Sequence, residues 1–398
     1  MTLRTVAVAF PRLRTACVGI RPRIRSNAER LAFLRPSPGC MRPLHVAPFL
    51  MPPLLFTGLF VGLWCWKCAM MVLFQNTIIY NPFLPPNARS MTIDEVSRNC
   101  GRLKWREERI KSLDGTEIAL CVADVPSVSV PSPAKAKTKT PIYILYFQGN
   151  ASSLPPRLPD LSWIMRRAHE SDPSIQYTIV GLSYRGFWTS HDRPSESGID
   201  LDSQAALQWI AELHESKSEK GDGTKPTVLL WGQSIGCGFA TNLAAKGEFP
   251  HNLTIGGLIL ETPFTNVRAM LQALYPQTWL PYQYLWPFLR NHLDSWTNLG
   301  MIAKRFPGTP PGIFIVEAGK DELVPANHGE ELFQRCQRVG LPVERQKVRG
   351  ALHNEAMVRV AGKQALAHSI VTAVTQARRY EGRERGQLRI LQGRKELA

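Results

Sequence analysis

Seven short strand-like runs, separated by amphipathic stretches, constrain most strongly how this chain can fold. Most of them are rich in Val, Ile, Leu and aromatic residues, and helical patterns such as 195–215 and 235–247 lie between them. Strands that are continuously apolar are buried on both faces, and strands that alternate with helices are usually parallel. We therefore expect an α/β domain in which helices cover both faces of a mostly parallel sheet. The runs are IALCVADV from 118, PIYILYF from 141, YTIVGLSY from 177, TVLLWG from 227, GGLILET from 256, GIFIVEA from 312 and VERQKV from 343.

One stretch, residues 48–74, is apolar for long enough to cross a membrane. Its only charged residue is Lys67, and a helix needs about 20 apolar residues to span the hydrocarbon core. A buried core helix is the alternative, and Pro52, Pro53 and the basic flank weaken it. A secretory signal peptide fits less well, because the run begins late and no small-residue cleavage site follows it. We expect a single N-terminal transmembrane helix.

The positive charge of the chain is concentrated at its two ends. Of the formal charge of +16, residues 1–45 contribute +8 through nine Arg and one Glu, and residues 378–398 contribute +4. The remainder is nearly balanced and has no basic stripe interleaved with aromatic residues, so we expect no nucleic-acid partner. The Arg excess before the span predicts that the N-terminus is cytoplasmic. We expect the span to lie in the endoplasmic reticulum or another endomembrane. An Arg-rich, acid-poor leader also fits a mitochondrial membrane.

These patterns predict four parts of the chain. A basic leader without fixed structure covers 1–45, the anchor covers 48–74, the α/β domain covers 75–377, and a basic tail covers 378–398. Segment 264–307 of the domain is rich in aromatic residues, which predicts a short lid that binds an acyl chain or touches the bilayer. Packing of these aromatic residues against the flank of the fold is the alternative. They are Phe264, Tyr275, Trp279, Tyr282, Tyr284, Trp286, Phe288 and Trp296.

A Gly-x-Ser-x-Gly pattern directly follows the predicted strand TVLLWG. It reads GQSIG over 232–236 and leads into the helical pattern CGFATNLAAK. At a strained turn from a strand into a helix, a serine is exposed and glycines let the backbone pass without a side-chain clash. We therefore expect Ser234 to be a nucleophile rather than part of an ordinary glycine-rich turn.

Two later strand ends supply candidates for an acid and a base. GIFIVEA leads to Asp321, where an acid that orients a catalytic His belongs; Glu322 is its nearest competitor, and a helix-capping Asp is the alternative. VERQKV leads to His353, which follows both the Ser and the Asp at a strand end, whereas His292 and His368 fit packing or surface positions better. The order Ser, Asp, His is that of an α/β-hydrolase triad.

The strand PIYILYF ends in a loop of small residues, Gln148-Gly149-Asn150-Ala151-Ser152. Backbone N–H groups in such a loop can bind an anion. We expect the N–H groups of Gly149, Asn150 and Ile235 to form an oxyanion hole, in which one donor is typically worth about 10² to 10³ in rate. A helix start capped by Asn150 or Ser152 is a compatible alternative.

Several ordered motifs resemble the α/β-hydrolase superfamily, and within it the membrane-anchored bud-emergence (BEM-type) and ABHD-type serine hydrolases. They are FQNTIIYNPFLPPNAR from 74, SYRGFWTS from 183, GQSIGC, ETPFTN from 261, GKDELVP from 319 and a late His-Asn-Glu. The resemblance runs from about 74 to 377 and matches the family triad to Ser234, Asp321 and His353. Relatives usually carry His-Gly-Asn where this chain has Gln148-Gly149-Asn150, a change that backbone oxyanion donors should tolerate.

The resemblance implies an α/β-hydrolase fold and hydrolysis of an ester or thioester without a metal or cofactor. Some relatives remove acyl groups from protein cysteines or cleave lysophospholipids. We therefore expect a membrane-anchored serine hydrolase that acts on acyl or lipid substrates through an acyl-enzyme. Membrane lipid is its other expected partner, and the sequence does not identify a protein partner. A non-catalytic membrane scaffold with the same fold is the alternative from another class, and a serine peptidase is the alternative enzyme.

Overall fold

A computed structural model describes residues 48–126, 140–217 and 225–396 of the chain. The predicted leader at 1–45 lies outside the described residues, as do 127–139 and 218–224. The chain divides into two compact units, Met1–Thr57 and Gly58–Ala398. In the first unit, the described residues form a 3-10 turn at Pro48–Leu50 and the start of helix α1.

Helix α1 covers Met51–Leu73, almost the whole of the predicted span at 48–74. None of its residues is buried, and its length and composition would allow it to cross a membrane. No other helix among the described residues meets those two criteria. The described part of the chain therefore carries one candidate transmembrane helix, which lies at the predicted place.

The second unit is built on one eight-stranded sheet with the strand order β1-β2-β4-β3-β5-β6-β7-β8. β2 runs antiparallel to β1 and to β4, and all other neighbouring strands are parallel. This order, with one reversed strand near the edge, is that of the α/β-hydrolase fold. The strands are β1 Trp105–Lys111, β2 Glu117–Asp124, β3 Thr140–Phe147, β4 Ile175–Ser183, β5 Thr227–Gln233, β6 Thr254–Glu261, β7 Gly312–Ala318 and β8 Val343–Val348.

The sequence predicted the last seven of these strands and missed β1. Its sequence, WREERIK, is mostly charged, and its residues are only partly buried because it lies at the sheet edge. Ion pairs join it to β2, with Arg106 3.2 Å from Asp124 and Arg109 2.6 Å from Glu117. Charged side chains on an edge strand discourage pairing with another chain, and only pairing with β2 makes this segment a strand.

Helices cover both faces of the sheet, as predicted. Helices α4 and α10 contribute to one buried apolar cluster, and α5, α6, α8 and α9 contribute to the other. Helix α10 continues to Glu396, so residues 378–396, which we expected to form a separate tail, extend that helix. The remaining helices are α2 Gln75–Tyr80, α3 Ile93–Ser97, α4 Leu158–Ser171, α5 Glu196–Lys217, α6 Ile235–Lys246, α7 Val267–Leu274, α8 Ser295–Arg305, α9 Ala326–Val339 and α10 Val360–Glu396.

Segment 264–307 is divided between the core and the surface. Phe264 is buried, and Trp296 packs against the guanidinium of Arg335, 3.9 Å from its ring centroid, so packing accounts for both ends of the segment. Between them, 3-10 turns at 282–284 and 286–288 follow α7, and four large side chains there are exposed. Trp279, Tyr284, Trp286 and Phe288 are between 44% and 71% exposed.

Candidate active site

Ser234 lies on a sharp turn between β5 and α6, with φ 52° and ψ −116°. Positive φ is uncommon for a residue other than glycine and marks a locally strained backbone. The two flanking glycines allow this turn, because a Cβ on Gly232 would lie 2.5 Å from the Cα of Cys237, and one on Gly236 would overlap the carbonyl oxygen of Phe147. The serine N–H donates to the carbonyl of Glu261 at 2.8 Å. The Gly-x-Ser-x-Gly motif therefore forms the predicted sharp turn from strand to helix, which we refer to as the elbow.

The structure brings Ser234, Asp321 and His353 together from three separate loops. The Ser234 Oγ lies 2.9 Å from Nε2 of His353, and Nδ1 of His353 lies 2.9 Å from Oδ2 of Asp321. The His353 side chain is buried, and the side chain of Asp321 is 8% exposed. With the imidazole proton on Nδ1 and donated to Asp321, Nε2 can accept the hydroxyl proton of Ser234. This is the hydrogen-bonding pattern that activates a serine.

The Asp321 carboxyl both orients the histidine ring and stabilises its own turn. Oδ1 accepts hydrogen bonds from the N–H groups of Leu323 at 3.0 Å and Val324 at 2.8 Å. Burial tends to raise the pKa of Asp321, but the hydrogen bond and charge of His353 and the two N–H donors outweigh it, so its pKa is lowered. The carboxyl is therefore ionised at neutral pH.

The competing acid, Glu322, contacts the same histidine through a different atom. Its Oε2 accepts the backbone N–H of His353 at 2.8 Å and does not pair with the imidazole ring. The two neighbouring acids thus contact different parts of His353, because Asp321 accepts from its ring and Glu322 accepts from its backbone N–H. Spacing in the sequence could not separate these contacts, since both residues follow β7 directly.

The predicted oxyanion donors lie at the ends of two neighbouring strands. Gly149 and Asn150 follow β3, Ile235 is the first residue of α6, and β3 pairs directly with β5. In the part of the chain that the structure describes, no acceptor is paired with these three N–H groups. The alternative of a helix start at Asn150 or Ser152 is wrong, because α4 begins only at Leu158 after a 3-10 turn.

The segment that follows α1 holds the loop after β3 in place. Asn150 Nδ2 donates to the carbonyl of Ile79 at 2.5 Å, and the N–H of Ser152 donates to the carbonyl of Leu84. Asn150 lies 71 residues after Ile79 in the sequence, and no sequence pattern indicated these contacts. The conformation of the predicted oxyanion loop therefore depends on residues that closely follow helix α1.

A buried polar network lies beneath the elbow, and sequence reasoning did not assign it a role. The Glu261 carboxylate is completely buried and accepts from Nε1 of Trp231 and Nε2 of Gln233, both at 3.3 Å. Gln233 Oε1 in turn accepts from the hydroxyl of Tyr146 at 3.1 Å. Burial raises the pKa of Glu261 to about 7, although the positive charge of Arg157 and the two hydrogen bonds oppose the shift.

Replacement Glu261→Gln should flatten the dependence of stability on pH. The folded-state pKa of about 7 lies above the ordinary 4.5, so folding favours the protonated carboxyl. Titration of Glu261 should therefore lower wild-type stability by about 3 kcal/mol as pH rises from 4.5 to 7, and this loss should persist at higher pH. Chemical denaturation of both proteins from pH 4.5 to 8 measures the effect.

The variant should be more stable than wild type at pH 8 and lack this part of the slope. Burial also raises the pKa of Asp200 to about 7. Titration of Asp200 therefore lowers the stability of both proteins as pH rises, and this contribution cancels when their curves are compared. The exposed Glu212→Gln is the matched control and should follow the wild-type curve. Parallel curves for wild type and Glu261→Gln would contradict the prediction.

Comparison with known proteins places these features in a wider group. No family model matches the chain. Protein bem46 of Schizosaccharomyces pombe is 27% identical over 66% of this chain and 75% of its own length. Lysophosphatidylserine lipase ABHD12 of Xenopus tropicalis is 32% identical over 40% of this chain and 39% of its own length. Human alpha/beta hydrolase domain-containing protein 17B is 31% identical over 46% of this chain and 52% of its own length.

The strand order and the serine on the elbow define a serine hydrolase with the α/β-hydrolase fold. The resemblance inferred from the sequence is confirmed, because the chain is similar to BEM-type and ABHD-type α/β-hydrolases. The match spans three quarters of bem46 but only about two fifths to one half of the two other relatives. Among solved structures, a fungal esterase from Rhizomucor miehei aligns over 74% of this chain and 91% of its own, with 15% identity and a TM-score of 0.49.

Proposed function

We propose that this protein hydrolyses carboxylic ester or thioester bonds of acyl or lipid substrates, with Ser234, His353 and Asp321 as its catalytic triad. The observation that carries the proposal is the continuous hydrogen-bonded line from the Ser234 hydroxyl through His353 to Asp321. A serine on a strained elbow, a buried histidine and an ionised carboxylate are the three parts that nucleophilic acyl transfer requires.

In the first half of the reaction, the Ser234 oxygen attacks the acyl carbonyl carbon while Nε2 of His353 takes the hydroxyl proton. Asp321 stabilises the resulting imidazolium through its hydrogen bond to Nδ1. The N–H groups of Gly149, Asn150 and Ile235 bind the carbonyl oxygen as it becomes negative. His353 then returns its proton to the leaving alcohol or thiol, and the acyl group stays on Ser234 as an ester.

In the second half, water replaces the leaving group. His353 removes a proton from a water molecule, whose oxygen attacks the acyl carbonyl carbon on Ser234. The same donors stabilise the second oxyanion, and the intermediate collapses when the serine oxygen departs and takes the proton from His353. A free carboxylic acid leaves, and the triad returns to its starting protonation state.

The environment of the site supports an acyl substrate that is reached from a membrane. Helix α1 can cross a bilayer by length and composition, and exposed aromatic side chains follow α7. One relative is named a lysophosphatidylserine lipase, so a lysophospholipid is one candidate class, and an S-acylated protein cysteine is the other. In this proposal helix α1 anchors the protein as a single span. The charge of the leader favours an endomembrane, and a mitochondrial membrane is the alternative.

Hydrolysis can be tested with one acyl chain placed on three different leaving groups. Full-length protein in lipid nanodiscs is given palmitoyl lysophosphatidylserine, a palmitoyl-cysteine peptide and a palmitoyl-lysine peptide, and the released palmitate is quantified. We expect release from the ester, the thioester or both, and none from the amide. A fluorophosphonate that reacts with activated serines should block this release.

The other outcomes identify the alternative functions. Folded protein that neither reacts with the fluorophosphonate nor releases palmitate would support the non-catalytic scaffold and overturn the proposal. Cleavage of the amide at a rate similar to that of the esters would support a peptidase-like enzyme. A protein purified in parallel with Ser234→Ala sets the background from contaminating hydrolases.

A further inference from the structure

An apolar groove lies where the end of α1 meets the residues that follow α7, and we refer to it as the junction groove. It lies entirely within the second compact unit. One wall comes from the last turns of α1 and from α2, and the other from α7 and the turns after it. The side chains that define these walls are Met71, Val72, Ile78, Ile79, Leu271 and Phe288.

Polar contacts at one end of the groove fix its two walls to each other. The buried side chain of Gln75 donates to the carbonyls of Val72 at 3.0 Å and Phe288 at 3.1 Å, and its Oε1 accepts the N–H of Arg290 at 2.7 Å. The Arg290 guanidinium donates to the carbonyls of Val72 and Leu73, at 3.1 and 3.2 Å. These carbonyls end helix α1 and have no intrahelical partner, so the arginine satisfies them and also complements the helix dipole.

The groove adjoins the catalytic edge of the sheet on one side. Ile79, which lines it, accepts the side-chain hydrogen bond of Asn150, and Asn150 belongs to the predicted oxyanion loop. Leu271, on the other wall, lies on the helix that follows β6, whose last residue accepts the N–H of Ser234. Both walls are therefore directly connected to loops that flank the nucleophile.

Positive charge and exposed aromatic rings surround the groove. Lys67 lies 5.2 Å from the ring centroid of Tyr282, which also lines the groove, and Arg268 lies 4.0 Å from that of Trp286. Trp279 is 71% exposed on the same segment. Amphipathic rings and cations of this kind are favoured at the headgroup level of a bilayer. These cations and aromatic rings around the junction groove thus suit a lipid whose acyl chain enters from the membrane or whose headgroup is anionic.

We propose that the junction groove binds the acyl chain of the substrate, so that helix α1 supplies a wall of the acyl-chain site as well as a membrane anchor. This inference rests on the proposed function. A carbonyl held at the oxyanion loop places the first methylenes of its chain next to the segment that carries Ile79. The apolar walls then bury the following methylenes, and each buried methylene is worth about fourfold in binding.

Photocrosslinking can locate the bound acyl chain on the protein. A fluorophosphonate with a C16 chain and a terminal diazirine is reacted with the full-length protein in nanodiscs, irradiated, and mapped by mass spectrometry. We expect the phosphonate on Ser234 and crosslinks within 71–79 or 271–289. Phosphonate on Ser234 with crosslinks elsewhere, or only to lipid, would overturn the groove and leave the proposed function intact. Absence of phosphonate from Ser234 in folded protein would instead overturn the proposed function and the inference with it.

Filling the groove gives an independent measurement. Val72→Trp and Leu271→Trp each place a large side chain in one wall, and Leu63→Trp places one in α1 outside the groove. We expect the two groove variants to lose about tenfold in kcat/KM for p-nitrophenyl palmitate relative to p-nitrophenyl butyrate. The control should change this ratio less than twofold. Equal losses on both esters, in variants whose melting temperatures match wild type, would show that the groove does not bind the chain.

Discussion

Replacement Ser234→Ala is expected to abolish esterase activity and fluorophosphonate labelling together. The Ser234 hydroxyl is the group hydrogen-bonded to Nε2 of His353, and no other described serine makes that contact. Loss of a serine nucleophile from a complete triad costs on the order of 10⁶ in kcat, so the residual rate should equal the assay background. Turnover of a short p-nitrophenyl ester and gel-based labelling measure the two effects in one preparation.

The variant should remain folded, because the Ser234 side chain makes no described hydrogen bond other than the one to His353. Thermal unfolding should confirm this with a melting temperature close to that of wild type. The exposed Ser171 at the end of α4 supplies the matched control, and Ser171→Ala should label and turn over as wild type does. Full labelling of folded Ser234→Ala would assign the reactive serine elsewhere and contradict the triad.

Replacement Asp321→Asn is expected to lower kcat by about 10³ to 10⁴ while the fold is retained. The ionised Asp321 carboxylate accepts from Nδ1 of His353 and thereby leaves Nε2 free to take the proton of Ser234. An amide cannot stabilise the imidazolium, and its NH₂ group can favour the wrong imidazole tautomer. Its oxygen can still accept from Leu323 and Val324, so the turn should keep its conformation.

Glu322→Gln is the matched control for this prediction, because it neutralises the neighbouring acid on the same loop. Among the described residues, Glu322 is hydrogen-bonded to the backbone N–H of His353 alone, and a glutamine oxygen can accept that hydrogen bond equally well. We expect a loss of less than about tenfold in kcat/KM, measured with the same short ester. A larger loss for Glu322→Gln than for Asp321→Asn would reverse the assignment of the orienting acid.

The sequence was sufficient to predict which residues meet at the sheet edge because the strands that precede them are buried and continuously apolar. Runs such as TVLLWG and GIFIVEA leave little doubt about where a strand ends, and in a parallel sheet the carboxyl ends meet at one edge. Candidate residues immediately after those runs, Ser234 and Asp321, are therefore neighbours for topological reasons alone. The same reasoning missed β1, because a charged edge strand has no apolar pattern to reveal it.

Contacts between distant segments could not be predicted in this way. The loop at Asn150 is held by Ile79 and Leu84, and the carboxyl of Glu261 meets Gln233 across a strand pair. Each of these contacts joins a polar group to a backbone or side-chain partner whose sequence position carries no signal. The contact of Glu261 depends on the pairing of β5 with β6, and the contacts of the Asn150 loop depend on how two distant segments approach each other once the sheet has formed.

The amino-acid sequence by itself determined the α/β class, the apolar span and the three residues that meet at the sheet edge, because periodicity and strand ends are local properties. Only the tertiary structure decided which of two adjacent acids faces the ring of His353 and how the end of α1 joins the residues after α7. Both depend on side-chain direction and on hydrogen bonds between residues far apart in the chain, which local patterns do not encode.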